Sequence, residues 1–195
     1  MKNQEVLVAA SVLADHFNVD TAHAAQLGLK PQNIAERLIP VTHYVTAIIN
    51  GTTIEFIKSS KDKEVGLQSF DSDKLPANKP FVLAGITGLY AKEPSTSPLT
   101  VETADYKDAA PASLVNGELK LIQGDRGTIA ELLHENVFNR SGAVANNLDR
   151  EFKLPVMAVI KDKESLTLTS KIPDLVGSSS DAHYAKLLLR GYTVK

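Results

Sequence analysis

The chain of 195 residues contains no cysteine. Disulfides, thiolate metal sites and a cysteine nucleophile are excluded together, and the fold must be held by packing or by contacts between subunits. Tryptophan is absent and aromatic residues make up 6% of the chain, which weakens any sugar-binding surface built on aromatic faces. No apolar run approaches the ~20 residues that span a bilayer. Neither sign of charge dominates: 21 Lys and Arg stand against 23 Asp and Glu, a net charge of −2. That leaves no global field for holding nucleic acid or an anionic membrane, only room for a local patch. Catalytic signatures are missing as well. There is no GxSxG elbow, because Gly177 to Ser180 (GSSS) lacks the second glycine. Gly124 to Gly127 lacks the Lys-Ser/Thr of a phosphate loop, and GxGxxG does not occur.

What the chain does have is an ordinary globular composition, 43% hydrophobic and 23% charged, enough apolar surface to exclude disorder for most of its length. The first forty residues have helical character. Val6, Ala10, Leu13 and Phe17 recur at helical spacing over residues 3–17. Val6 to Ala14 superficially resembles the core of a signal peptide, but Glu5 and the poor cleavage context argue for an amphipathic helix. Asp20 or Thr21 can cap a second helix through Leu27, with Gly28 as its C′ residue. Pro31 suits the first turn of a third, through Asn33 to Leu38, which Pro40 then stops.

From Val41 the period changes to two. Val41 to Ile49 and Thr52 to Ile57 flank Asn50-Gly51, the dipeptide of a type I′ hairpin, and Asn116-Gly117 repeats the device before Glu118 to Gln123. Further strands are expected at Val65 to Phe70, Phe81 to Ala91, Leu99 to Glu102, Phe152 to Ile160, Ser165 to Ser170 and His183 to Val194. Gly85 and Gly88 inside the run from Phe81 to Ala91 mark a bulge, a bend or a close backbone approach, and Pro155 places its strand at an edge or bulge. Leu119 and Leu121 predict one buried face, as do Ala185, Leu187 and Leu189. Residues 128–138 read as helix or strand, with the helix slightly favoured by a capping box of Thr128 and Glu131. Ser59 to Glu64, Asp71 to Pro80, Lys92 to Pro98, Asn139 to Asn147, Lys161 to Glu164 and Asp174 to Asp181 read as polar turns and loops. The repeated KDKE at 61 and 161 reads as two independent solvated turns.

The chain is therefore expected to be mainly β: a helical N-terminal arm over residues 1–40 and an antiparallel β-sandwich over residues 41–195. The five histidines, at 16, 23, 43, 134 and 183, form neither HxxxH nor HExxH. Each is expected to be structural, with His134 at the surface and His43 beside a pocket or interface; no metal or cofactor is expected. Asp71 and Asp73 read as a polar loop rather than a calcium site. Leu13 to Leu27 resembles a helix-turn-helix, but the second helix carries neither Arg nor Lys, so a DNA-reading role is disfavoured.

Three stretches carry a family resemblance: Phe70 to Tyr90 (FDSDKLPANKPFVLAGITGLY), Leu114 to Ile122 (LVNGELKLI), and the pair Phe152 to Thr169 with Tyr184 to Tyr192. A proline-rich loop leading into a long strand, then a hairpin, then a late strand pair, resembles the jelly-roll coat proteins of icosahedral viruses and tailless phages, over residues 41–195. That resemblance implies a non-enzymatic virion subunit. It would partner with itself and with other virion proteins, and assemble through strand edges and the helix face of Val6, Ala10, Leu13 and Phe17. The rival expectation is a carbohydrate- or ligand-binding sandwich using Tyr90, Tyr106 and Asp71.

Overall fold

A computed structural model describes residues 4–30, 33–57, 63–69, 71–138, 151–176 and 180–195. The N-terminal helices form where expected. Helix α1 (Gln4–Val19) is followed by α2 (Thr21–Gln26) and α3 (Ile34–Arg37). Asp20 caps α2, its Oδ1 accepting from the His23 amide at 3.1 Å. Gly28 takes φ +60°. The Gly28 amide donates to Ala25 and the Leu29 amide to Ala24, which closes α2 in a Schellman motif with Leu29 buried behind it. The third helix is shorter than predicted. Leu38 already begins strand β1 (Leu38–Ile48), and Pro40 lies inside that strand rather than before it. A residue without an N–H is tolerated there because β1 is the outermost strand of its sheet.

The remaining elements are β2 (Thr53–Glu55), β3 (Phe81–Pro94), α4 (Ala112–Val115), β4 (Glu118–Gln123), β5 (Gly127–Leu133), α5 (His134–Phe138), β6 (Phe152–Ile160), β7 (Leu166–Lys171) and β8 (Asp181–Val194). They make two four-stranded antiparallel sheets, ordered β1-β8-β3-β6 and β2-β7-β4-β5. The pairing is nested: first strand with last, second with seventh, third with sixth, fourth with fifth. Inward-facing Val45, Phe81, Leu83, Ile86, Leu187 and Leu189 of one sheet share a single hydrophobic cluster with Ile54, Leu119, Leu121, Leu166 and Leu168 of the other. As the period-two patterns predict, Leu119 and Leu121 are buried on one face, and so are Ala185, Leu187 and Leu189.

The two Asn-Gly hairpins do not form. Strands β1 and β2 lie in different sheets, and neither Asn50 nor Gly51 takes a positive φ. β1 is instead matched to β8 over its whole length, from Leu38↔Val194 to Ile48↔Tyr184. The Ile49 amide still donates to His183 before the chain turns across to the other sheet. A partner distant in sequence wins because it pairs with one edge of β1 along its whole length, whereas β2 offers only three residues. Asn116 caps the C-terminus of α4. Gly117 follows it because a Cβ there would stand 2.6 Å from the Lys171 carbonyl and 2.7 Å from His134 Nδ1.

The slight preference for helix over 128–138 is also corrected. β5 runs to Leu133, and helix is confined to His134–Phe138. Pairing with β4 overrides the local helical pattern. The strands expected at Val65 to Phe70 and Leu99 to Glu102 reduce to isolated bridges at Gln68 and a turn at residues 101–103. Phe70, residues 58–62, residues 139–150 and residues 177–179 lie outside the described residues. Most of the expected turn from Ser59, the whole loop from Asn139 and part of the Gly/Ser loop fall there.

The signals of Gly85, Gly88 and Pro155 inside their strands hold. The register of β3 shifts between Leu83 and Gly85, so the inward set changes from Phe81 and Leu83 to Ile86 and Tyr90. Gly88 lies under Phe138, whose ring would be 2.6 Å from a Cβ. In β6 the pairing jumps from Leu83↔Ala158 to Gly85↔Lys153, leaving Pro155 inside a bulge on an outer strand.

The helical segment is not a detached arm. Ala9, Ala10, Leu13 and Phe17 pack with Val82, Val159, Tyr192 and Val194 in one buried cluster on the outward face of the first sheet. Leu13→Ala is expected to cost about 2–5 kcal/mol of unfolding free energy. Gly88→Ala should cost about 1–3 kcal/mol through overpacking against Phe138. Urea unfolding followed by circular dichroism checks both.

Candidate functional site

The helix face read from the sequence is assembled, but its partner is the chain itself. Leu13, Phe17 and Ala10 are buried against the first sheet, and Val6 is partly buried beside them. The outward residues Val82, Tyr192 and Val194 supply an apolar seat, so the stripe is already covered before any second subunit arrives. The side of α1 that remains at the surface carries Leu7 and Val8, each about half exposed. An ion pair from Glu5 to Lys153 ties the start of the helix to β6.

The histidines fall into two groups. Three are structural. His134 was expected at the surface and is instead fully buried, as is Ser170 beside it. His134 Nδ1–H donates to the Leu114 carbonyl at 2.6 Å, and the Ser170 hydroxyl donates to Nε2 at 2.8 Å. This is the bonding pattern of a serine–histidine dyad, but neither residue reaches solvent and a backbone carbonyl stands in the place of an orienting carboxylate. It is a core hydrogen-bond network. His183 Nδ1 is bonded to the Tyr90 hydroxyl at 2.6 Å in a nearly parallel stack. His43 is bonded to Ser69 at 3.0 Å and stands edge-on to Phe81. Burial holds His43 at about 4, with Lys63 adding to the effect, and burial likewise lowers His134 and His183.

The residues proposed for sugar binding are not presented to solvent as a group. Tyr90 is a buried strand residue, and the Tyr106 hydroxyl donates to the Val101 carbonyl at 2.5 Å. Asp71 accepts from the Lys63 amide, and Asp73 is engaged by Ser165 and Ser72, as a polar loop requires. In the would-be helix-turn-helix, α2 is six residues long and its leading Asp20 is bonded to Lys161.

The remaining histidines, His16 and His23, meet at a corner. His16 lies in the last turn of α1, Asp20 is the cap between helices and His23 lies in the first turn of α2. Ligand atoms from the three lie within 4.8 Å of one another, the one such group among the described residues. The turn after β6 closes over them. Asp162 Oδ1 is 2.6 Å from His23 Nε2, while Asp162 Oδ2 accepts from the Asn78 amide at 2.6 Å. Lys161 Nζ is 3.0 Å from Asp20 Oδ2 and 3.6 Å from Glu164 Oε1. The second KDKE is therefore not a solvated turn: the Asp162 side chain is only 4% exposed. Burial holds His16 at about 4, helped by the charges of Arg126, Lys161 and His23. An open cleft of about 210 Å³, lined by Asp20, His23, Gln26, Lys161, Asp162 and Glu164, adjoins the group. A search for HxxxH misses this arrangement; its linear trace is His-x3-Asp-x2-His spanning a helix end and the next helix cap.

No family model, curated protein or solved structure matches this chain. No helix among the described residues is long and apolar enough to cross a membrane.

The histidine shifts set an acid limb of stability. His43 titrates at 6.5 when unfolded and about 4 when folded. Above pH 6.5 both states are neutral and its contribution is intact. Below it the unfolded chain takes up the proton that the folded chain refuses, and stability falls until pH 4. Urea midpoints measured from pH 7 to pH 4 should decline less steeply in His43→Gln than in the parent; parallel curves would exclude His43 as a source of the decline.

Proposed function

We propose that this chain is a jelly-roll-like β-sandwich that serves as a structural subunit of a virion shell, assembled in a host cytoplasm, with copies of itself and other virion proteins as its partners. The observation that carries the reading is the nested pairing of first strand with last, second with seventh, third with sixth and fourth with fifth. An eight-stranded ribbon, doubled back along its length and rolled, has this pairing. Rolling then gives the orders 1-8-3-6 and 2-7-4-5, as in a jelly roll of two Greek keys. The step from architecture to shell is one of analogy, because the same roll also carries lectins and cupins.

Two observations favour the shell over a binding module. The serine–histidine pair is sealed in the core, and Tyr90, the first choice for a sugar platform, is buried and bonded to His183. The outer strands supply the second argument. The outer edge of β1 is occupied in its middle, where Thr46 donates to Leu67 and Ser69 donates to Tyr44. β6 presents Val156, 76% exposed, on its bulge. Exposed edges invite strand or side-chain pairing, and symmetric assembly covers them. Assembly in this reading runs through β6 and the outward side of α1 at Leu7 and Val8, and the stripe of Leu13 and Phe17 holds the subunit together.

Light scattering on size-exclusion fractions over a dilution series, with negative-stain microscopy of the same fractions, tests the reading. Concentration-dependent closed particles are expected, with Val156→Lys shifting the population toward monomer at unchanged thermal stability. A parent protein that stays monomeric at every concentration would sink the proposal.

A further inference from the structure

We infer that His16, Asp20 and His23 form a binding site for one divalent transition-metal ion of the zinc class, pinning the helical layer to the turn between β6 and β7. The inference is independent of whether the chain assembles.

The first support is a pair of orphaned atoms. His16 Nε2 and His23 Nδ1 are both buried and have no hydrogen-bond partner, a condition that calls for an explanation at each buried nitrogen. Both residues belong to the one group among the described residues whose ligand atoms lie within 4.8 Å of one another. Around zinc, with bonds of about 2.0–2.2 Å, two ligand atoms stand about 3.4 Å apart, so the three groups close on an ion by side-chain rotation.

The second support is the bonding of His23. Nε2–H donates to Asp162, so in the neutral imidazole the lone pair lies on Nδ1. A histidine that donates its far N–H to a carboxylate is the usual outer shell of a metal-bound imidazole. Asp162 is itself oriented by the Asn78 amide, so the imidazole, the carboxylate and the backbone form one chain of bonds.

The nearby cations define what the metal must displace. Lys161 lies 3.0 Å from Asp20 Oδ2. Glu164 offers Lys161 an alternative seat, with Oε1 at 3.6 Å and a buried Oε2 that has no partner. Three carboxylates, Asp20, Asp162 and Glu164, stand against three cations, Lys161, Lys163 and Arg126, so the formal charges at the corner balance. Two imidazole nitrogens and one carboxylate oxygen suit zinc, cobalt, nickel or copper and not magnesium or calcium. With the cleft alongside, the fourth position falls to water.

Equilibrium dialysis of chelator-treated protein against Zn²⁺, with metal analysis, is expected to give one ion per chain. His16→Gln, His23→Gln and Asp162→Asn should each weaken binding by about 10- to 100-fold, whereas Lys161→Gln, which removes the competing cation, should strengthen it. Excess Mg²⁺ or Ca²⁺ should not displace the ion. Co²⁺ added to the unmutated protein should show the intense visible bands of a four-coordinate site, which keeps the test independent of whether any variant folds. Absence of stoichiometric uptake, uptake unchanged in both histidine variants, or a Co²⁺ spectrum identical to the hydrated ion would each overturn the inference.

Discussion

Strand β8 is hydrogen-bonded along both edges and covered on both faces, and the other elements take their places from it. Its backbone pairs with β1 over residues 184–194 and with β3 over residues 181–193. Ala185, Leu187 and Leu189 point into the core between the sheets, while Tyr192 and Val194 point outward beneath the helices. Gly191 marks the closest approach: a Cβ there would stand 1.9 Å from the Val82 carbonyl. β8 takes one edge of β1, and β2 pairs with β7 in the other sheet. The chain must cross to the second sheet at residues 49–53, and the nested pairing follows.

The second consequence concerns the outward face. An apolar strand buried on one side only would expose Tyr192, Val194 and Val82. Helix α1 covers them with Leu13 and Phe17, and in doing so brings its last turn against the loop leaving β6. The corner of His16, Asp20, His23 and Asp162 is a product of that docking. The polar bonds there join residues 139 positions apart, so they link the helical layer to the sheet at a point where apolar packing ends. A cation bound at the corner would stabilise the docked state in proportion to its occupancy.

Function rests on a different footing from fold. A serine bonded to a histidine would suggest hydrolysis if either reached solvent, but both are sealed in the core. What the surface does offer is an outer strand with an exposed valine and a helix whose outward side is partly apolar. These are the features through which the proposed assembly would run.

Elements governed by near neighbours were legible in the residues themselves. The alternation of Leu119 and Leu121, the Asp20 cap, the left-handed Gly28, the bulge signalled by Gly85 and the outer-strand position of Pro155 each depend on interactions within a few residues. So does the helical spacing of Val6, Ala10, Leu13 and Phe17. What those side chains face was decided elsewhere. Asn50-Gly51 has the chemistry of a hairpin and is not one, because β8 offers β1 a longer ladder. Residues 128–133 have the composition of a helix and form a strand, because β4 lacks any other partner on that edge. His134 sits beside a glutamate in sequence yet is buried against Ser170, and Asp162 belongs to a charged turn yet is buried against His23. Local chemistry determined most of the helices, strands and turns. Which strands pair, which histidines are enclosed and which of them converge were settled only when segments far apart in the chain competed for the same backbone hydrogen bonds and the same apolar surface.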